Sequence, residues 1–184
     1  MKRAAYPTID VLSPAAGWTR SLPTAAAIVR RAAKAGWDAG ASAAQKRRAK
    51  TTELSVLLTG DAAIRKLNAL YRGKDKATNV LSFPAGADGP SDGGVLLGDV
   101  VIAYGTVVKE AKEAGKSLKD HLSHMVVHGV LHLLGYDHDV SSDAKTMERL
   151  ETKILAGLGI QDPYRDTIPE PAPKKTSRGA RRRT

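Results

Sequence analysis

The sequence predicts an α+β domain in which a four-stranded sheet packs with about five helices. Three observations lead there. Four β-prone apolar runs of five to nine residues alternate with longer stretches whose apolar residues recur every three or four positions. The chain has 184 residues, the size of one domain, and is long enough to bury a core without cross-links. From Pro163 the apolar pattern stops, so residues 1–164 read as a single domain and 165–184 as a disordered basic tail rich in Pro and Arg.

The first strand is Thr8 to Leu12, closed by Ser13-Pro14. Pro23-Thr24 opens a helix that stops near Gly36, and residues 38–51, small and then basic, read as a loop. Glu53 to Thr59 is the second strand. Thr59-Gly60-Asp61 supplies an N-cap for a helix whose stripe is Ile64, Leu67, Leu70 and Tyr71, with Gly73 at its end. Asn79 to Phe83 is the third strand, closed by Pro84, and the Gly- and Asp-rich residues 85–94 form a loop. Val95 to Ala103 is the fourth strand and Thr106 to Ala114 a short helix ended by Gly115. Ser117 with Asp120 resembles a capping box and opens a long apolar helix, Leu118 to Leu134, which Gly135 stops. Ser141 or Ser142 starts a last helix with Met147, Leu150, Ile154 and Leu158 on one face.

Aromatic residues are only 4% of the chain, so the core is expected to lean on Leu, Val, Ile and Ala. The absence of cysteine removes disulfides, thiolate metal sites and Cys nucleophiles, and it fits a reducing, cytoplasmic setting. Nothing near the N-terminus has the apolar run of a secretory signal, and no 18-residue apolar stretch marks a membrane span. The formal charge of +10 is unevenly placed: residues 1–50 carry +8, residues 51–164 carry −3, and residues 165–184 carry +5. A basic surplus at both ends of a slightly acidic middle points to a polyanionic partner such as nucleic acid.

All five histidines lie between residues 121 and 138. His128 and His132 are four apart on the predicted helix, so both imidazoles project from one face, one turn apart, and each can reach ~2 Å to one metal ion. His124 continues the stripe but stands about 12 Å along the axis from His132, too far to share that ion. Gly135 lets the chain turn back through a left-handed C-cap, and His138 follows three residues later. The expected ligand set is therefore His128, His132 and His138, with a fourth position left for water. Three imidazoles suit one zinc ion per chain best, with nickel, cobalt or copper also compatible on ligand type, and an open position is catalytic in style because it brings the pKa of bound water toward ~7. His124 reads as a residue behind the ligands or in the packing, and His121 as solvated near the helix start. Leu131, Leu133 and Leu134 read as core.

The spacing HxxxHxxGxxH is also that of the metzincin proteases, whose general base is a Glu directly after the first His. Here that position is Gly129. The metal site stands and the peptidase reading weakens, while the basic ends point to a phosphodiester.

With these residues in view, the sequence resembles the YbeY family, single-strand-specific endoribonucleases also called rRNA maturation factors. The resemblance rests on HGVLHLLGYDH from His128 to His138, on LNALYRGKDKATNVLSFP from Leu67 to Pro84, on Leu97-Gly98-Asp99, and on the DPY ending at Tyr164. It covers about residues 50–164, so no family role passes to the basic segment 46–48 or to the tail. It implies zinc held by the three motif histidines, action in maturation of the 16S rRNA 3′ end and in ribosome quality control, and a role for the arginine of the YR block, here Arg72. It also implies that the sheet is mixed and the histidine helix metalloprotease-like. The implied partners are precursor rRNA and the small ribosomal subunit with its proteins.

On that reading Arg72, counted with the three histidines as catalytic, offers a permanently charged fork to phosphate; otherwise it is a helix-end arginine on the C-terminal dipole. Lys74 and Lys76 either track the RNA backbone or are ordinary loop charges. Asp99 either orients a ligand histidine or caps the turn after Gly98. Tyr71 and Tyr136 are expected to pack in the core in preference to stacking on a base. No general base stands out. Two rivals stay open: a metal-dependent hydrolase of peptides or small phosphoesters, and a non-catalytic ribosome assembly factor with structural metal.

Overall fold

A computed structural model of the chain describes residues 6–86, 95–137 and 141–165. Its elements, in order, are β1 (Thr8–Leu12), α1 (Ala16–Ser21), α2 (Ala25–Gly40), α3 (Ala43–Arg47), a 3-10 turn (Ala49–Thr51), β2 (Thr52–Thr59), α4 (Asp61–Arg72), β3 (Val80–Pro84), β4 (Val95–Ala103), α5 (Tyr104–Glu113), α6 (Leu118–Leu133) and α7 (Ser141–Gly157). The four strands form one mixed sheet in the order β1-β2-β4-β3. β1, β2 and β4 run parallel, and β3 pairs antiparallel to β4, so that β1 and β3 are the two edges.

Strand alternation assigns the two faces. Val100 and Ile102 of β4, with Leu54, Val56 and Leu58 of β2, join the main core with α2, α6 and α7. Val101 and Ala103 turn the other way and meet Ile64 of α4 and Leu81 of β3. β4 is thus covered on both faces, which is why it reads as a nearly unbroken apolar run. The two tryptophans lie inside: Trp18 and Trp37 are both essentially fully buried, and the Trp18 indole donates to the Thr59 carbonyl at 3.1 Å.

The four-stranded sheet is as expected, but the described residues hold seven α-helices against the expected five. α2 runs on through Gly36 to Gly40, because Gly36 lies against Val130 of α6 and does not end the helix. α3 replaces part of the expected loop. Its signal was present, since Ser42 accepts from the Gln45 amide at 3.2 Å while the Gln45 side chain accepts from the Ser42 amide at 2.7 Å, a complete capping box. At α6 the Ser117 half of the expected box forms, with the Asp120 amide donating to Oγ at 3.0 Å. The α4 stripe also departs from expectation. Ile64 and Asn68 are buried, whereas Leu70 and Tyr71 are exposed. The expected loop at 87–94, the tail from 166 onward and His138 lie outside the described residues. No described helix is long and apolar enough to cross a membrane.

Candidate metal centre and its cleft

Helix α6 supplies the site because it crosses the sheet at Gly129. A Cβ built there would stand 2.6 Å from Val100 Cγ1 and 3.2 Å from Ser82 Oγ, so only glycine allows this approach. The Ser82 hydroxyl donates to the Gly129 carbonyl at 3.3 Å and fastens β3 to the helix. One residue before and three after, His128 and His132 face a cleft of about 570 Å³. Their Nε2 atoms lie 3.1 Å apart. Two nitrogens bound to one tetrahedral zinc at ~2.0–2.1 Å would be ~3.3 Å apart, so this pair already has the separation that a shared ion imposes.

Past His132 the helix ends as the sequence leads one to expect. Gly135 has φ +97°, the Tyr136 amide donates to the Leu131 carbonyl at 3.0 Å, and the Tyr136 hydroxyl donates to the Gly40 carbonyl at 3.2 Å. The chain is turned back and tied to α2 just before His138. Among the described residues no three His, Asp or Glu side chains gather as a metal site. The structure therefore brings together two of the three expected ligands.

Behind the pair stands Glu151 of α7, whose side chain has no solvent exposure. Its Oε1 lies 2.8 Å from His128 Nδ1 and its Oε2 lies 3.3 Å from His124 Nε2. The Tyr164 hydroxyl also donates to Oε2. Burial alone pushes the Glu151 carboxyl upward. The hydrogen bonds from His124 and His128, the His128 charge and the Tyr164 hydroxyl outweigh it and bring the carboxyl down to about 2. Tyr164 moves the other way: burial and the adjacent carboxylate push its hydroxyl well above the ordinary phenol range. An ionised carboxylate only accepts, so the His128 Nδ1 that faces it carries a proton, and the ring is turned with Nε2 toward His132.

His124 spends its Nε2 on Glu151 and keeps Nδ1 buried without a partner, so it stands behind the ligand pair, as its helical position implied. His121 does not match expectation. It is 8% exposed and not solvated, because α5 packs over it and Glu110 Oε2 meets its Nε2 at 2.9 Å. Burial lowers the His121 pKa, and Glu110 opposes that only in part.

The cleft is also lined by Arg72, Thr78, Ser82 and Asp137. Arg72 is the last residue of α4 and exposed, so it sits at a helix C-terminus and in the same cleft as both histidines. Lys74 and Lys76 are exposed on the turn that follows. Asp99 is exposed on β4, and among the described residues no hydrogen bond joins it to a histidine. Tyr136 is half-buried against the main core, as expected. Tyr71, expected to pack, is 64% exposed.

Sequence reasoning does not find Glu151 or the contact made by Tyr164. A signal existed. Glu151 falls on the stripe Met147, Ile154 and Leu158, so a carboxylate occupies a position that helical periodicity assigns to the core.

Residues 27–159 match the family model described as Endoribonuclease YbeY. The endoribonuclease YbeY of Rhodopseudomonas palustris strain HaA2 is 49% identical over 173 residues, covering 90% of this chain and 86% of that one. Its counterpart from strain BisA53 is 48% identical over 163 residues, covering 87% and 91%. The solution structure of TM1509 from Thermotoga maritima aligns with a TM-score of 0.48 at 20% identity, over 90% of this chain and 99% of that one.

Proposed function

This chain belongs to the endoribonuclease YbeY family, and from that premise we propose that it is a zinc-dependent, single-strand-specific endoribonuclease acting in the cytoplasm on the 3′ end of 16S rRNA and in ribosome quality control. The observation that carries the proposal is the meeting of two imidazole Nε2 atoms, 3.1 Å apart, in a cleft that also holds an arginine. His128, His132 and His138 would hold the ion. When bound, it supplies Lewis acidity toward a phosphoryl oxygen and toward water.

The chain's own residues do the rest. Glu151 fixes the His128 ring with Nδ1 toward the carboxylate and Nε2 toward His132 and the cleft. Arg72 presents a planar cation to the phosphate, and its charge opposes the negative charge that grows there as the bond breaks. Lys74 and Lys76 extend the positive surface along the strand. Residues 1–164 act as the catalytic domain. The basic residues from 165 on add phosphate contacts that help to hold precursor RNA and the small subunit. A peptide substrate is disfavoured by Gly129, where the packing of α6 on Val100 leaves no room for a carboxylate base.

The test incubates purified zinc-loaded protein with labelled single-stranded RNA, duplex RNA and a peptide pool. Cleavage of single strands alone is expected, with His128→Ala losing cleavage while still binding RNA. Peptide cleavage, or undiminished RNA cleavage by His128→Ala, would overturn the reading. If the metal were only structural, as in an assembly factor, His132→Ala would melt the domain instead of silencing it.

A further inference from the structure

The end of α4 carries a surface that the metal chemistry does not use. Leu70 is 74% exposed and Tyr71 64% exposed, on a helix whose other face is built into the sheet. The Tyr71 ring meets Phe83 edge to face, with centroids 5.0 Å apart and planes at 64°. Phe83 is in turn packed against Ile64, Leu81, Val101 and Ala103. Tyr71 is therefore a backed ring: one contact anchors it to the sheet, and most of its surface faces water.

Its neighbours are cations on a pinned turn. Arg65 Nε and Nη2 donate to the two Asp75 carboxylate oxygens, each at 2.7 Å. The Asn68 amide donates to the Lys76 carbonyl at 2.8 Å, and the Lys74 amide to the Asn68 carbonyl at 3.2 Å. Asp75, the only acid from residue 65 to 76, is taken up by Arg65, which leaves Lys66, Arg72, Lys74 and Lys76 exposed and without a carboxylate partner among the described residues. The patch adjoins the cleft at both ends. Arg72, which follows Tyr71, lines the cleft, as do Ser82 and Pro84 on either side of Phe83.

We propose that Tyr71, backed by Phe83, is a nucleobase-stacking platform that holds one unpaired base of the RNA strand beside the phosphate at Arg72. The inference rests on the endoribonuclease reading and adds a subsite to it. A flat ring among unpaired cations is the arrangement that binds single-stranded nucleic acid: the ring takes a base face and the cations take the backbone. A base inside a duplex is already stacked on both sides and cannot reach the ring without being pulled out. The platform therefore selects for single strands without reading sequence.

The experiment measures binding and cleavage of a fluorescein-labelled single-stranded oligoribonucleotide by zinc-loaded wild type, Tyr71→Ala and Tyr71→Trp. Tyr71→Ala should weaken the Kd and raise KM at least fivefold, the lower end of what one stacked base contributes (~1 kcal/mol). Zinc content and Tm should hold, because the ring is exposed. Tyr71→Trp should restore binding, and RNA should quench its added fluorescence. In wild type, scanning an abasic site along the strand should find one position that costs as much as Tyr71→Ala; in Tyr71→Ala that position should cost nothing further. Equal RNA affinity of Tyr71→Ala and wild type would overturn the platform and leave the patch to a protein partner. An abasic penalty that persists in Tyr71→Ala would overturn it too. If wild type itself neither binds nor cuts RNA, the endoribonuclease reading has failed, which is a different result from a platform that fails in an active enzyme.

Discussion

Replacing Glu151 by Gln keeps the shape of a side chain that has no solvent exposure and removes its charge. The carboxylate accepts from three donors: His128 Nδ1 at 2.8 Å, His124 Nε2 at 3.3 Å, and the Tyr164 hydroxyl. A glutamine has one accepting oxygen, so its NH2 group must face at least one of those donors. Sparing the cost of burying a charge works in the variant's favour, but donor facing donor and two lost charge-assisted bonds of roughly 1.5–3 kcal/mol each work against it, and the second effect is larger. Two readouts follow. With the His128 ring no longer held, zinc affinity should fall about 10- to 100-fold, or ~1.4–2.7 kcal/mol, in competition with a chromophoric chelator. In the metal-free protein, a carboxyl at about 2 when folded against an ordinary 4.5 corresponds to roughly 3 kcal/mol of stability. The unfolded chain takes the proton first as pH falls. That stability is thus fully present above about pH 4.5 and is lost as pH falls toward 2. Acid titrations followed by circular dichroism should therefore show wild type losing stability across that window and Glu151→Gln, already weaker at neutral pH, losing less. Zinc affinity within twofold of wild type in a folded variant would refute the reasoning, as would superimposable acid titrations.

Gly129→Ala should gain about 1 kcal/mol of helix propensity but lose roughly 1–3 kcal/mol from a Cβ placed 2.6 Å from Val100 Cγ1, giving a net drop in Tm by thermal unfolding. His121, whose pKa is lowered chiefly by burial, takes its proton more readily when unfolded, so metal-free wild type should lose stability as pH falls below about 6.5 and His121→Gln should lack that part of the slope. Urea midpoints across pH 5–8 would check this, and identical slopes would count against a buried neutral imidazole. Deleting residues 165–184, which carry a net +5, should weaken RNA binding and flatten its dependence on salt; an unchanged salt slope would show that the tail touches no phosphate.

What could be read from the sequence was whatever depends on near neighbours in the chain. His128, His132 and Gly135 are set by helical spacing and one left-handed turn, and the structure places all three as that spacing requires. The same holds for Arg72 at the end of its helix. Features that depend on distant contacts were not legible. Glu151 matters because α7 returns to lie on α6, 23 residues after His128, and nothing local announces that meeting. His121 looked solvated at a helix start until α5 covered it. Leu70 and Tyr71 fitted the helical stripe of α4, but the face that packs on the sheet is the one carrying Ile64 and Leu67, and Leu70 and Tyr71 stay exposed. α3 is a different case, because its Ser42-x-x-Gln45 signature was in plain sight and the basic residues around it masked the reading.

The HxxxHxxGxxH spacing serves peptidases as readily as nucleases, so the histidines alone do not decide between substrates. The residue after the first histidine does. In the peptidase pattern it is a glutamate that reaches the reacting atoms. Here the helix is pressed so closely onto β4 and β3 that a single methyl at Gly129 would collide with Val100, and the Gly129 carbonyl is already held by the Ser82 hydroxyl. A glutamate could enter only by lifting α6 from the sheet, which would move His128 and His132 with it. Glu151 stands behind the imidazoles, where it orients one of them and cannot face a substrate. The cleft in front offers a cation at Arg72, hydroxyls at Thr78 and Ser82, and the carboxylate of Asp137 beyond the helix end. For a neutral peptide bond, losing the carboxylate base removes most of the proton-handling power. For a phosphodiester, which is anionic in the ground state and more so in the transition state, a cleft without a glutamate beside the first histidine and with an arginine facing it favours the reaction. The tight crossing of α6 on the sheet thus fixes the histidine pair and excludes the peptidase glutamate at the same residue.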